Sequence, residues 1–525
     1  MKCGKLFKND FTRQMFEFGF VAPEIPPCFS SRSFAKCHED ILKFPGLDKS
    51  KQTFPTQLSI YKDGVTRRII SVPNPYSFAN TVKYMKDHWR QIEKHSQSEN
   101  SQSPITRVYF KYGDEKAEIL NGESAQDAVR LRSSYLGNLR ERVICALGFR
   151  YKLSVDISMC YSSIYTHSLS WSVCGRDEAK RNYFLEKKAD RSKEYLFADE
   201  LDKRIRNQKG SETNGILTGP FSSRIFSELI LAGVDREIRE STSIFGKPFS
   251  FKRYVDDYWF YFRSEPEARA AIPEIGKLLG RYNLSLNTSK TKIEEYPFDS
   301  ISPMKESLKA ALRREGVFGL LNEAGIWHLA GEKGAYKYAL KMLSGNEVKP
   351  EDIDVVLSAL FNINLLNPKY CSYIVGYIKN NENILGPNRL ARIVNEELEE
   401  VIGNHLEQEV ANLLFFVKEL DLAIKGENII GVLRSESDFS KIIALDLWKN
   451  HNDRVKRAPR EAQQINDAVN ELRENMVNQT YDGEHWLLLH EIAMHDLVNG
   501  STRVKSGKTD PFFDWLKMKG VSFYC

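Results

Sequence analysis

The sequence predicts an α+β amino-terminal part followed by an all-α carboxy-terminal domain, and three observations carry that prediction. Short β-prone apolar runs bracket Gly, Pro and Asp turns as far as about residue 300. Beyond about residue 305 strand signals fade, and amphipathic helices follow one another with short Gly, Asn or Pro breaks. The charge divides at the same place. Residues 1–300 carry 48 Lys+Arg against 38 Asp+Glu, hence +10, whereas residues 301–525 carry 27 against 32, hence −5. A total of +5 therefore conceals a basic first part suited to a polyanion and a mildly acidic second part.

At 525 residues and 42% hydrophobic composition the chain is too long for one core and too apolar for disorder. Its eight cysteines form no C-x-x-C pair, which excludes a zinc ribbon and suggests no disulfide framework; a reducing cytoplasm is the expected location. The N-terminus has charge but no apolar core of signal-peptide length. No stretch of about 18 uncharged apolar residues occurs, so neither secretion nor a membrane partner is expected.

Taken in order, residues 56–75 read as a basic hairpin turning at Asp63-Gly64 and ended by Val72-Pro73-Asn74-Pro75. Residues 78–93 read as a helix. The polar run from His95 to Pro104 has nothing apolar to bury and reads as a mobile surface excursion. Residues 124–146 are helical, a strand runs from Tyr151 to Ile157, and a strand pair from Phe249 to Phe262 brackets Asp256-Asp257. In the helical part, Ile353, Val356, Leu357 and Leu360 recur at helical spacing, as do Leu406, Val410, Leu413, Leu414 and Val417. Pairs of roughly 40 residues are the size of HEAT-type units, although no sequence signature repeats.

The chemistry concentrates in Arg253-Tyr254-Val255-Asp256-Asp257-Tyr258-Trp259-Phe260, where two adjacent aspartates interrupt an aromatic strand pair. Half-buried acidic neighbours repel, and a multivalent cation or an exposed hairpin turn resolves that repulsion. Asp156 ends a second apolar strand, where the bland alternative is a helix cap. Strand-borne carboxylates in this number are how hard divalent cations are held beside substrate phosphates, and two such metals drive in-line phosphoryl displacement. Between them, the run from Asn214 to Ile225, with Gly215, Thr218 and Gly219, is a loop whose glycines admit a close backbone approach before a helix through Asp235.

In this order the motifs resemble the palm of reverse transcriptases. Asp156 looks like the first metal-binding motif, residues 215–223 like the substrate-positioning loop, and Tyr254-Val255-Asp256-Asp257 like the Tyr-x-Asp-Asp hairpin. Residues 282–291, ending Asn287-Thr288-Ser289-Lys290-Thr291, are similar to the fourth motif, and Arg67-Arg68-Ile69-Ile70-Ser71-Val72-Pro73 to a fingers segment. The resemblance implies fingers over 1–150, palm over 151–304, and a HEAT-like helical domain over 305–525 in place of a thumb. It assigns Asp156, Asp256, Asp257 and the backbone carbonyl of Ile157 to two Mg²⁺ ions, with Mn²⁺ an alternative. Arg68 is assigned to the dNTP triphosphate, Lys290 to protonation of leaving pyrophosphate, and Tyr161 to a steric gate against the 2′-hydroxyl. The bland alternatives are a solvated arginine, a surface lysine and a core tyrosine.

One departure is Thr218, which stands where the family's usual glutamine precedes the motif glycine and helps place nucleotide and template. Residues 164–171, residues 215–228 and His485-Trp486-Leu487-Leu488-Leu489-His490-Glu491 resemble the abortive-infection and related defence-associated reverse transcriptases of bacteria, the AbiK-like group. That likeness implies anti-phage DNA synthesis primed from a protein hydroxyl, homo-oligomeric assembly, and either no template or a small non-coding RNA. A covalently attached DNA product is implied as well. No motif marks the priming residue among 23 tyrosines; Tyr524, on a terminus able to be mobile, is the candidate, and its bland alternative is an aromatic tail packed on the helical domain. His485, His490 and His495 are spaced about 140° apart on a helix, which argues against a zinc site. The competing functions are a conventional RNA-templated, nucleic-acid-primed enzyme and a catalytically idle RNA-binding scaffold.

Overall fold

The computed structural model describes residues 4–63, 66–103, 135–241, 248–298, 302–381, 386–498 and 510–525. Two compact units divide the chain. The first comprises residues 1–22, 34–55 and 71–300, and the second residues 23–33, 56–70 and 301–525. The hairpin β1 (Thr56–Asp63) and β2 (Thr66–Val72) therefore contributes residues 56–70 to the second unit, not to a continuous 1–150 region.

The reason lies in the hairpin's edge. In β1, the backbone N–H groups of Ser59 and Tyr61 donate to Glu407 Oε2 (2.8 Å) and Gln408 Oε1 (2.9 Å). Side chains opening the helix Glu407–Glu419 thus stand in for a neighbouring strand and satisfy donors an open edge would leave bare. Arg67 completes the join with a two-pronged pair to Glu409, at 3.0 and 2.8 Å.

The first unit is built on a four-stranded antiparallel sheet of order β4-β5-β3-β6, with β3 Tyr151–Asp156, β4 Ser250–Tyr254, β5 Asp257–Phe262 and β6 Lys292–Glu295. Central β3 buries Leu153 and Val155, and β5 buries Tyr258, Phe260 and Phe262 at period two. The helix Glu265–Gly280 packs on this sheet and on the helix Phe221–Glu240, which reaches the sheet through Glu228 and Asp235 to Arg253 and Tyr258. The helix Glu265–Gly280 begins where the Glu267 carboxylate accepts the backbone N–H of Ser264 at 3.3 Å. After Gly280, Asn283 takes a left-handed φ of 62° and turns the chain back along β3.

The polar run after residue 94 differs from its sequence reading. Ser96, Ser98, Ser101, Gln102 and Ser103 are buried. Arg253 N–H donates to Asn100 O (2.8 Å), and Gln102 N–H donates to Arg253 O (2.7 Å), so the run lies along β4 as an extra extended segment. Polar side chains can be buried where partners are supplied, as here by Asp235 to Ser98 and by the Phe251 carbonyl to Asn100. Of the expected helix over 124–146, the part before residue 135 lies outside the described residues; Tyr135–Cys145 is helical.

Among the described residues the second unit beyond residue 301 is nearly all helix. Successive helices pack on one another, as with Ile353–Leu366 on Cys371–Lys379 and Pro387–Gly403 on Glu407–Glu419. Val410, Leu413, Leu414 and Val417 are buried as their spacing predicts, but so is every residue between them, so Glu407–Glu419 is a core helix rather than an amphipathic one; Leu406 is half-buried at its N-cap. The tail is not free. Phe29 and Tyr524 form an antiparallel bridge, flanked by Ser30 N–H to Phe523 O (2.8 Å) and Cys525 N–H to Cys28 O (2.9 Å). No described helix is long and apolar enough to cross a membrane.

Candidate active site

Strand register brings the aspartates together. In the β3–β5 ladder Asp156 stands opposite Asp257, and Ile157 N–H donates to Asp256 O at 3.2 Å. Consecutive strand residues ordinarily face opposite sides of a sheet, but Val255 and Asp256 form the turn between β4 and β5, releasing Asp256 from that alternation. The turn depends on Val255 at φ 57°, a conformation that a β-branched residue strongly disfavours.

The fourth motif closes the other side. Asn287 N–H donates to Asp156 O (2.8 Å) and its side-chain amide donates to Asp156 Oδ2 (2.9 Å), while Lys290 Nζ lies 3.1 Å from Asp156 Oδ1. Asp156 is thereby pinned and buried, whereas the Lys290 side chain remains 61% exposed. Burial, reinforced by the charges of Asp256 and Asp156, pushes the Asp257 carboxyl up to about 6, with Lys290 only partly relieving it. Partial desolvation works against the Lys290 charge, but the bond to Asp156 and the surrounding carboxylates outweigh it and hold the ammonium above its ordinary range. The cluster carries more negative charge than its own lysine neutralises.

That surplus fits a divalent cation. Among the described residues no three His, Cys, Asp or Glu side chains are gathered into a ready-made cage. An open site suits Mg²⁺ beside a nucleotide, since that ion takes one or two carboxylates and completes its shell with water and phosphate.

The remaining predicted residues are placed as follows. Tyr161, on the short helix Cys160–Ser163, is half-buried; its hydroxyl accepts from Ser227 Oγ at 3.4 Å, and burial raises it to about 12. The glycine loop is tied to that helix by Gly215 N–H to Ile164 O and Ile216 N–H to Tyr161 O, both 2.8 Å. A side chain at Gly215 would meet Ser162 O at 3.0 Å, with φ at +78°, so glycine is required there. Thr218 and Gly219 are half-buried on the same loop, and Thr218 O accepts from Ser71 N–H at 2.8 Å.

Arg68 and Tyr524 belong to the second unit, whereas the three aspartates belong to the first. Arg68 is exposed on β2. Tyr524 is 4% exposed, donates to Asp446 Oδ2 at 2.7 Å, accepts from Lys418 Nζ at 2.9 Å, and has its hydroxyl pKa driven up by burial. This corrects the expectation of a mobile tail hydroxyl: the aromatic tail is packed into the helical unit. The three histidines also have separate partners, His485 on Asp438, His490 on Val521 O and His495 on Ser522.

Sequence reasoning assigned no role to Arg253, although it quoted the residue. Arg253 is fully buried and forks onto Asp235 (2.8 Å) and Glu228 (2.9 Å), seven residues apart on the helix Phe221–Glu240. Its Nη1 also donates to Val255 O at 3.0 Å. Two acids on the apolar stretch of one helix were the available signal, because buried charges need a partner. Asn287 was visible as the first residue of Asn-x-x-Lys.

No family model matches the chain, and no curated protein matches it. Among solved structures it is similar to apo telomerase from Candida tropicalis (TM-score 0.31, 12% identity, 78% of this chain and 75% of that one). The same enzyme in complex with the TWJ fragment of telomeric RNA gives TM-score 0.30 and 13% identity over 80% of this chain and 68% of that one. The C. tropicalis telomerase truncated from its C-terminal domain matches at TM-score 0.28 and 14% identity over 47% of this chain, which spans about half (51%) of its length. Overlaps this loose fix neither fold nor activity.

Proposed function

We propose that this chain is a DNA polymerase of reverse-transcriptase type, a nucleotidyltransferase that adds dNTPs by metal-dependent phosphoryl transfer. The observation that carries the reading is the surplus of negative charge where Asp156, Asp256 and Asp257 converge. Asp156, Asp256, Asp257 and the Ile157 carbonyl would hold Mg²⁺ or Mn²⁺. The chemistry such ions would supply is activation of the attacking oxygen and stabilisation of the leaving one. The chain's own residues do the rest: Asn287 fixes the Asp156 carboxylate, and Lys290 keeps a proton on Nζ at the exposed rim, where a departing pyrophosphate is negative. The glycine loop supplies a close backbone approach, and Tyr161 lines the segment following Asp156 as the steric gate. Arg68 is assigned the triphosphate by the resemblance alone.

The finer reading is a defence enzyme of the AbiK-like group, cytoplasmic and homo-oligomeric, protein-primed on a tyrosine other than Tyr524. It would be either template-independent or served by a small non-coding RNA. Thr218 in place of the templating glutamine supports it, as does an all-helical, HEAT-like part where a thumb would grip duplex. A strand attached covalently to its enzyme cannot dissociate and needs no such grip.

The test is incubation of the purified chain with Mg²⁺ and each labelled dNTP singly, with and without nuclease pretreatment. The reading expects label that migrates with the protein through denaturing gels. Absence of incorporation under every condition contradicts the polymerase, and loss after nuclease treatment identifies an RNA requirement.

A further inference from the structure

The hairpin turn carrying Asp256 is gripped at both polar groups of one strained residue. Val255, left-handed at φ 57°, donates its N–H to Ser103 Oγ at 3.0 Å and offers its carbonyl to Arg253 Nη1 at 3.0 Å. Neither partner is loosely held. Ser103 is 2% exposed and belongs to the buried run along β4, where Ser98 Oγ donates to Asp235 Oδ2 at 2.6 Å. Asp235 receives Arg253 and also the hydroxyl of Tyr258 at 3.1 Å, so strap, helix and both strands of the hairpin meet at one carboxylate.

A strained conformation persists only where its surroundings over-determine it. The geometry assigns Ser103 and Arg253 as positioning residues. Together they hold Val255 left-handed, and the turn in that state sets Asp256 O on Ile157 N–H and Asp256 beside Asp156 and Asp257. The polar strap is thus part of the machinery that assembles the carboxylates, by a route outside the four motifs. This assignment rests on the metal-dependent reading of the carboxylate cluster.

Ser103→Ala tests it in the full chain, because it removes one acceptor and little volume. The clamp expects Mn²⁺ affinity, read by electron paramagnetic resonance, to weaken roughly five- to tenfold, the worth of one such bond. It also expects faster amide hydrogen exchange at residues 255–257 without acceleration in the remaining strands, and Ser103→Thr to restore both. Ser103→Cys, which keeps the shape but accepts poorly, is the second variant and must loosen Mn²⁺ in the same direction. Wild-type Mn²⁺ affinity in Ser103→Ala or Ser103→Cys, or a Thr variant as impaired as the Ala variant, overturns the assignment. Incorporation of dNTPs by the wild type is measured alongside. A wild type that binds Mn²⁺ but adds no nucleotide overturns the polymerase while the clamp is still decided by the variants; one that binds no Mn²⁺ overturns both.

Discussion

Two clusters in this molecule are made of nearly the same parts and behave in opposite ways. In the first unit, Lys290, whose side chain is 61% exposed, pairs with Asp156 and lies within the field of Asp256 and Asp257. In the second, Asp446 receives Lys418 at 3.1 Å, Tyr524 at 2.7 Å and Asn450 at 2.7 Å, and the Lys418 side chain is only 15% exposed. Desolvation works on Asp257 and Asp446 alike. At Asp446 the donors from Asn450, Tyr524 and Lys418 outweigh it and hold the carboxyl below its usual range. At Asp257 burial is reinforced by two more carboxylates, and the group rises to about 6. The second cluster cements a tail; the first, with its surplus of negative charge, is the one to which the proposed function assigns a cation. What separates the two is the sign of the neighbours: carboxylates crowd Asp257, whereas an amide, a hydroxyl and an ammonium serve Asp446.

The sharpest way to break the contrast is Asp256→Ala. Nucleotide incorporation should fall by roughly a hundredfold to a thousandfold or more with the fold intact, measured by labelled dNTP and circular dichroism. Arg253→Met comes next, leaving Glu228 and Asp235 buried without their partner. It should destabilise the first unit by about 3–5 kcal/mol, read from urea unfolding. Tyr524→Phe should cost the second unit about 1–3 kcal/mol through the lost bond to Asp446, while protein-linked labelling stays at the wild-type level. Reduced labelling at normal stability would restore Tyr524 as a functional hydroxyl.

The smallest effect concerns His485. Its hydrogen bond to Asp438 raises its pKa. A raised folded value means stabilisation fully present below the unfolded pKa of about 6.5 and lost as pH climbs through the folded value. His485→Asn should therefore lower the Tm more at pH 6 than at pH 8, by a difference of about 2 °C.

The meeting of Asp156 with Asp256-Asp257 was legible in the sequence because the residues break a rule: charges in an aromatic, β-prone run need a reason, and the pattern set Asp156 at a strand end and Asp256-Asp257 between two strands. Lys290 was legible through its neighbours, and the helical second part through its period. What escaped was long-range. Arg253 looks like an ordinary strand residue until Glu228 and Asp235 are seen to face it, and no local pattern joins positions 18 and 25 apart. Residues 95–103 were misread because polarity signals solvent only when partners are absent, and β4 with Asp235 supplies them. For Tyr524 the sequence leaves a mobile hydroxyl and a packed aromatic tail both open, because chain ends carry no local pattern; a bridge to Phe29 and two polar partners decide for the packed tail. The hairpin's membership in the second unit follows from three side chains about 350 residues downstream, Glu407, Gln408 and Glu409.

The central claim is that the carboxylate cluster of the first unit is a cation site for nucleotidyl transfer. Anomalous diffraction from crystals soaked in Mn²⁺ with a non-incorporating dNTP analogue tests it most directly. The account predicts anomalous density between Asp156 and the Asp256-Asp257 pair, with the analogue's phosphates sharing the ions. Mn²⁺ and nucleotide bound elsewhere, with the three aspartates unliganded, would contradict it.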